Sequence, residues 1–184
     1  MASIARHLLD CGAVRFGEFT LTSGAKSPYY VDVKAAMTHP HTLRAIADAM
    51  AALTRRHGPF DAVGGMELGA VPLATAVSLA TDLPLVIIRK GGRTHGTGKR
   101  IEGEDVAGKN VFVVEDVTTS GGSTVEAVQV LREAGATVTH ASVVVDRESG
   151  GEPALEAVDV ALHPLVRVSE LLETPEAKAA LEAS

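Results

Sequence analysis

The chain has 184 residues, 46% of them hydrophobic and 22% charged, which is enough for one well-buried domain and short for two. A formal net charge of -6 argues against a general nucleic-acid or membrane-surface binder, so a local cluster of cations should serve something small and anionic. A single cysteine, Cys11, excludes an internal disulfide and a Cys-based zinc framework, and no apolar run reaches signal-peptide or membrane-span length, so a soluble cytoplasmic protein is expected.

The first forty residues read as a short helix through "IARHLLDCG", then two strands around a Ser-Gly turn in "GEFTLTSGAKSPYYVDV". A longer helix over 41–58 places Leu43, Ile46, Ala47, Met50 and Leu53 on one face and stops at Gly58, before Pro59. Beyond it, five apolar, β-branched runs (61–66, 83–89, 110–116, 139–146 and 158–165) predict strands, with helices over 69–82 and 122–136. The runs lack polar alternation, as strands covered on both faces do. The expected fold class is α/β: a central, mainly parallel five-stranded sheet flanked by helices. Residues 1–184 form one domain in this reading. Residues 1–40 and about 165–184, with the helices "SELLE" and "PEAKAALEA", make a small cap, and about 41–164 make the core.

Lys90 to Lys109 holds six glycines and shows neither helical nor strand pattern. An unstructured loop of that length inside a compact domain is usually functional or disordered. Its first part, "RKGGRTHGTGKR", carries five of the seventeen Lys and Arg residues.

The most specific segment is "NVFVVEDVTTSGGSTVEAVQVL". A hydrophobic strand runs into two acids, Glu115 and Asp116, then a small turn of Thr118, Thr119, Ser120, Gly121 and Gly122, then directly into a helix. Small residues let backbone N–H groups wrap an anion, and the helix N-terminus adds roughly half a positive charge, which suits a phosphate monoester. The carboxylates can accept hydrogen bonds from ribose hydroxyls. A sugar phosphate is the ligand class this pattern suggests.

The acid-acid-Val-Thr-Thr-Ser-Gly-Gly order after a hydrophobic strand resembles the phosphoribosyl-pyrophosphate (PRPP) signature of the type I phosphoribosyltransferases, with Glu115 where many members have Asp. Three further segments narrow the resemblance to the orotate phosphoribosyltransferase family. "FGEFTLTSGAKSPYYVDVK" is similar to its N-terminal motif, which makes Lys26 a ligand-contacting cation for PRPP and orotate and puts Tyr29 and Tyr30 near the base or in cap packing. "GGMELGAVPLA" matches the loop that lies against pyrophosphate. "RKGGRTHGTGKR" resembles the flexible catalytic loop, with Arg89, Lys90, Arg93 and His95 on ligand-binding positions. The resemblance implies the type I phosphoribosyltransferase fold with a hood. It also implies PRPP contacts from Glu115, Asp116, Val117, Thr118, Thr119, Ser120, Gly121, Gly122 and Ser123, and catalytic roles for Lys90, His95, Glu115 and Asp116. Thr119 and Arg147 fall on positions that contact orotate, the alternative for Arg147 being a surface pair with Asp146 or Glu148.

The implied reaction converts orotate and PRPP to orotidine 5'-monophosphate and diphosphate with Mg²⁺, in pyrimidine biosynthesis. No residue is assigned as a metal ligand, because Mg²⁺ keeps water and substrate oxygens. The same resemblance implies a homodimer whose catalytic loop is shared between subunits, with no nucleic-acid or membrane partner. Two alternatives share the phosphate machinery: transfer to a purine or other base, and a non-catalytic PRPP-sensing regulator. The remaining histidines, His7, His39, His41, His57, His140 and His163, are scattered without metal-ligand spacing and read as structural or exposed.

Overall fold

The computed structural model describes residues 3–20, 26–91 and 99–182. Helix α1 (Ile4–Asp10) starts where the Ser3 hydroxyl accepts from the Arg6 N–H. Strands β1 (Val14–Thr20) and β2 (Lys26–Val31) pair antiparallel as a separate two-stranded sheet, with Phe16 opposite Tyr29. Helix α2 (Val33–Met37) follows, capped by the Asp32 carboxylate on the Ala35 N–H at 3.0 Å.

Helix α3 (Pro40–His57) leads into β3 (Ala62–Met66), α4 (Ala70–Thr81), β4 (Leu85–Ile88) and β5 (Ile101–Gly103). Strand β6 (Val111–Thr118), helix α5 (Gly122–Glu133), β7 (His140–Asp146), α6 (Gly151–Glu156) and β8 (Ala161–Arg167) complete the core. Two short helices, α7 (Val168–Leu172) and α8 (Pro175–Glu182), end the described chain. Arg6 on α1 bonds Glu176 on α8 at 2.6 Å, so the N- and C-terminal elements meet.

The main sheet has the order β5-β4-β3-β6-β7-β8, parallel except for β5. Successive strand residues point to opposite faces. On β6, Phe112 and Val114 therefore join the core with Ile46 and Met50 of α3 and Leu73 of α4, while Val111 and Val113 join Val128 and Leu131 of α5. Both faces are covered, which explains the unbroken apolar character of these runs.

The five expected strands are all present. The sheet gains a sixth, β5, inside the stretch read from sequence as patternless. Three residues with Ile101 as the single apolar side chain give no periodicity, and the strand forms by edge pairing of Val86 with Gly103. Helices α2 and α6 are likewise too short to carry a helical period. Among the described residues no helix is long and apolar enough to cross a membrane.

Candidate active site

The chain leaves β3 through α4 to β4 on one side, while β6 lies on the other side of β3. In an open parallel sheet, ligands bind where the strand order reverses, at the C-terminal ends. The turns after β3 and β6 both open there. They approach so closely that a Cβ on Gly69 would overlap the Asp116 carboxylate.

Glu115 and Asp116 are adjacent on β6 and so face opposite ways. Glu115 points to α5, where its carboxylate accepts from the Ser123 hydroxyl at 3.0 Å and from the Asp116 N–H at 3.1 Å. Asp116 points to α2 and α4. Its Oδ1 accepts from the Val117 N–H at 2.8 Å, and its Oδ2 lies 3.0 Å from the Lys34 ammonium. Both carboxylates are buried, at 6% and 7% exposure. Burial, then the charge of Asp116, pushes the Glu115 carboxyl up to about 7. Lys34 is raised by its hydrogen bond and attraction to Asp116 and stays charged.

The turn itself is built for backbone exposure. Gly121 takes a left-handed conformation (φ 82°) before the first turn of α5, and a Cβ there would press on Ala154 and Leu155. Thr119, Ser120 and Gly122 are exposed at its lip, while Thr118 is buried with its hydroxyl unpartnered among the described residues. A Cβ on Gly151 would meet that Thr118 side chain at 2.8 Å, so glycine at the start of α6 leaves room for it.

A cavity of about 710 Å³ opens beside the turn, lined by Thr20, Tyr30, Asp32, Lys34, Asp116, Val117, Thr119 and Arg147 among others. The Arg147 guanidinium lies over the Tyr29 ring, 5.3 Å from its centroid. The acids that flank it are engaged elsewhere: Asp146 with the Glu148 N–H and Arg167, and Glu148 with the Ser169 N–H. Among the described residues neither acid pairs with the Arg147 guanidinium. Tyr30, in the cavity wall, packs against Phe19 with ring centroids 5.7 Å apart.

Arg89 and Lys90 leave the C-terminal end of β4 at the same edge of the sheet. Glu67, in the turn after β3, accepts from the Lys90 N–H at 2.9 Å, and the Arg89 guanidinium meets Glu102 at 3.3 Å. Arg93 and His95 lie outside the described residues. Lys26 is exposed and paired with Glu18 at 2.7 Å rather than lining the cavity.

Two residues at this edge escaped sequence reasoning. Lys34 ends the segment "FGEFTLTSGAKSPYYVDVK" but received no role, because its contact with Asp116 exists only once α2 folds against β6. Arg100 had a composition signal but no partner. It donates to the Arg89 carbonyl at 3.0 and 3.2 Å and pairs with Glu126 of α5 at 2.5 Å, pinning the base of the loop.

A family model described as "Phosphoribosyl transferase domain" matches residues 32–164. The chain is 50% identical over 171 residues to the orotate phosphoribosyltransferase of Pyrococcus abyssi, covering 92% of this chain and 94% of that one. Among solved structures, the Mycobacterium tuberculosis H37Rv orotate phosphoribosyltransferase in complex with PRPP matches at 33% identity and TM-score 0.77, over 91% of this chain and 96% of that one. Leishmania donovani UMP synthase matches at 33% identity and TM-score 0.80 over 98% of this chain, which spans 41% of that longer one. The glycine-lined turn, the buried acid pair and the likeness along nearly the whole chain agree: this chain belongs to the orotate phosphoribosyltransferase family of type I phosphoribosyltransferases.

Proposed function

We propose that the protein transfers the phosphoribosyl group of PRPP to orotate, giving orotidine 5'-monophosphate and diphosphate. The observation that carries the reading is the buried Glu115–Asp116 pair, which enters a glycine turn at the switch point of the sheet beside a cavity walled by Lys34 and Arg147. The 5'-phosphate sits on the N–H groups of Thr118 to Ser123 and the α5 N-terminus. Glu115 and Asp116 accept from the ribose hydroxyls. Arg147 holds the orotate carboxylate with two parallel hydrogen bonds, beside Thr119.

The bond from the anomeric carbon to diphosphate oxygen breaks, and the bond to the orotate ring nitrogen forms. Positive character gathers on the ribose and negative charge on the departing diphosphate, as in other oxocarbenium-like displacements. Arg89, Lys90 and Arg93 supply cations to that developing charge, and His95 bonds a diphosphate oxygen. Lys26, on the hairpin, reaches the ligand after leaving Glu18. Closure of the loop over the site keeps water from the activated sugar.

Mg²⁺ fits this donor set, because Glu115 and Asp116 offer hard oxygens. Both carboxylates already have protein partners, which leaves most coordination to substrate oxygens and water. When bound, Mg²⁺ neutralises diphosphate charge. The active form in this reading is a cytoplasmic homodimer in which the loop of one subunit serves the site of the other. Residues 41–164 form the core, and the two terminal segments form its cap.

The direct test is the loss of orotate absorbance on adding PRPP and Mg²⁺, run beside uracil, adenine and hypoxanthine. Persistence of orotate while a purine is consumed would move the substrate assignment. Binding of PRPP without turnover of any base would point to a sensor.

A further inference from the structure

At the opposite end of the sheet, three histidines come together that the sequence scatters. His57 is the last residue of α3, His140 the first of β7, and His163 the third of β8. His140 pairs in register with Ala161, so His163 lies two positions along on the same face of the sheet. Its Nε2 stands 2.9 Å from the His140 Nδ1, and the His57 ring stacks on His163 with centroids 4.3 Å apart. One ring nitrogen from each residue lies within 4.8 Å of the other two. All three side chains are half-buried, so the cluster is open to solvent on one side.

We infer that His57, His140 and His163 form a binding site for a borderline first-row divalent ion such as Zn²⁺, Co²⁺ or Ni²⁺, with water in the remaining position. Imidazole nitrogens suit these ions, whereas Mg²⁺ takes oxygen ligands. In a tetrahedral site with bonds of about 2.0–2.1 Å, neighbouring donor atoms stand about 3.3 Å apart. The His140 and His163 nitrogens stand 2.9 Å apart and all three donors lie within 4.8 Å of one another, so side-chain rotation is what would bring them to that spacing.

The end of a helix favours a cation here. His57 ends an eighteen-residue helix, whose C-terminal carbonyls carry partial negative charge. Arg56 opposes, as a positive charge felt at His163. The Phe60 ring meets His140 edge-on at 5.8 Å and supports its orientation. The six steps from His140 to Asp146 along β7 put the cluster about 20 Å from the phosphate turn. An ion here would tie the end of α3 to the starts of β7 and β8 without touching substrate.

The probe is Co²⁺, titrated into chelator-treated full-length protein in excess Mg²⁺, which masks the oxygen donors of Glu115 and Asp116. One Co²⁺ per chain is expected, with visible ligand-field bands that Zn²⁺ abolishes. His163→Gln and His140→Gln should each weaken binding more than tenfold, since loss of even an outer-shell partner costs 10–100-fold in metal affinity. His57→Ala, at a helix end, serves if either strand variant fails to give a cooperative melt. Binding unchanged in the folded variants overturns the site. So does its loss in Asp116→Asn, or the absence of Co²⁺ bands in the wild-type protein.

Discussion

The Lys34 ammonium lies 3.0 Å from Asp116 Oδ2, joining the helix after the hairpin to the acid pair of β6. Asp116 is buried beside Glu115, and Lys34 supplies the positive charge that faces the Asp116 carboxylate. Removing it leaves an unpaired buried charge. Lys34→Ala should lower kcat/KM for PRPP by about 10–100-fold, the worth of a hydrogen bond to a charged group. Lys34→Arg should recover part of the loss. Steady-state kinetics with PRPP varied decide it, and a Lys34→Ala enzyme with unchanged kcat/KM would remove the pair from the mechanism.

Glu115 makes stability depend on pH. Its carboxyl is raised from 4.5 to about 7 by burial and then by Asp116. Between those values the folded chain binds more protons than the unfolded one, so this group's contribution is intact below 4.5 and falls as pH rises through about 7. The cost above that window is on the order of 3 kcal/mol. Glu115→Gln keeps an acceptor for Ser123 and removes the charge. It should therefore stabilise the protein near pH 8 by up to roughly that amount, have little effect near pH 4, and reduce phosphoribosyl transfer. Urea unfolding at both pH values checks the sign, and an equal change at both would rule out ionisation as its origin.

Arg147 should separate the two substrates. With Asp146 and Glu148 held by other partners, its guanidinium rests on Tyr29 and is available to a planar carboxylate. Arg147→Ala is expected to raise the KM for orotate about 10–100-fold while changing the KM for PRPP far less. Arg147→Lys should restore little, because an ammonium cannot make the two parallel bonds. Equal loss for both substrates would indicate a general packing role.

Arg100 fixes the base of the loop through the Arg89 carbonyl and Glu126. Being partly exposed, this pair should contribute under about 1 kcal/mol to stability. Arg100→Ala should thus leave thermal unfolding almost unchanged yet lower kcat several-fold, by loosening the segment from which Arg89 and Lys90 project. Melting and turnover measured on the same preparation separate these effects.

Sharing of the loop between subunits can be tested by complementation. Lys90→Ala and Asp116→Asn proteins, each nearly inactive, should regain about a quarter of wild-type activity after equal mixing, because half the dimers are hybrids with one intact site. No recovery after verified subunit exchange would place each loop over the site of its own chain.

The strand and helix order and the Glu115–Gly122 turn were legible in the sequence because each is local. Continuous apolar runs mark strands covered on both faces, and a carboxylate pair, small residues and a helix start stand side by side in one segment. Helix α2, strand β5 and helix α6 were not legible, since five, three and six residues carry no period. Tertiary structure alone decided that Lys34 meets Asp116, that Arg147 lies on Tyr29, that Arg100 reaches Glu126, and that His57, His140 and His163 share one corner. Those contacts join residues far apart along the chain, and they depend on strand register and helix docking, which set the direction of every side chain at once.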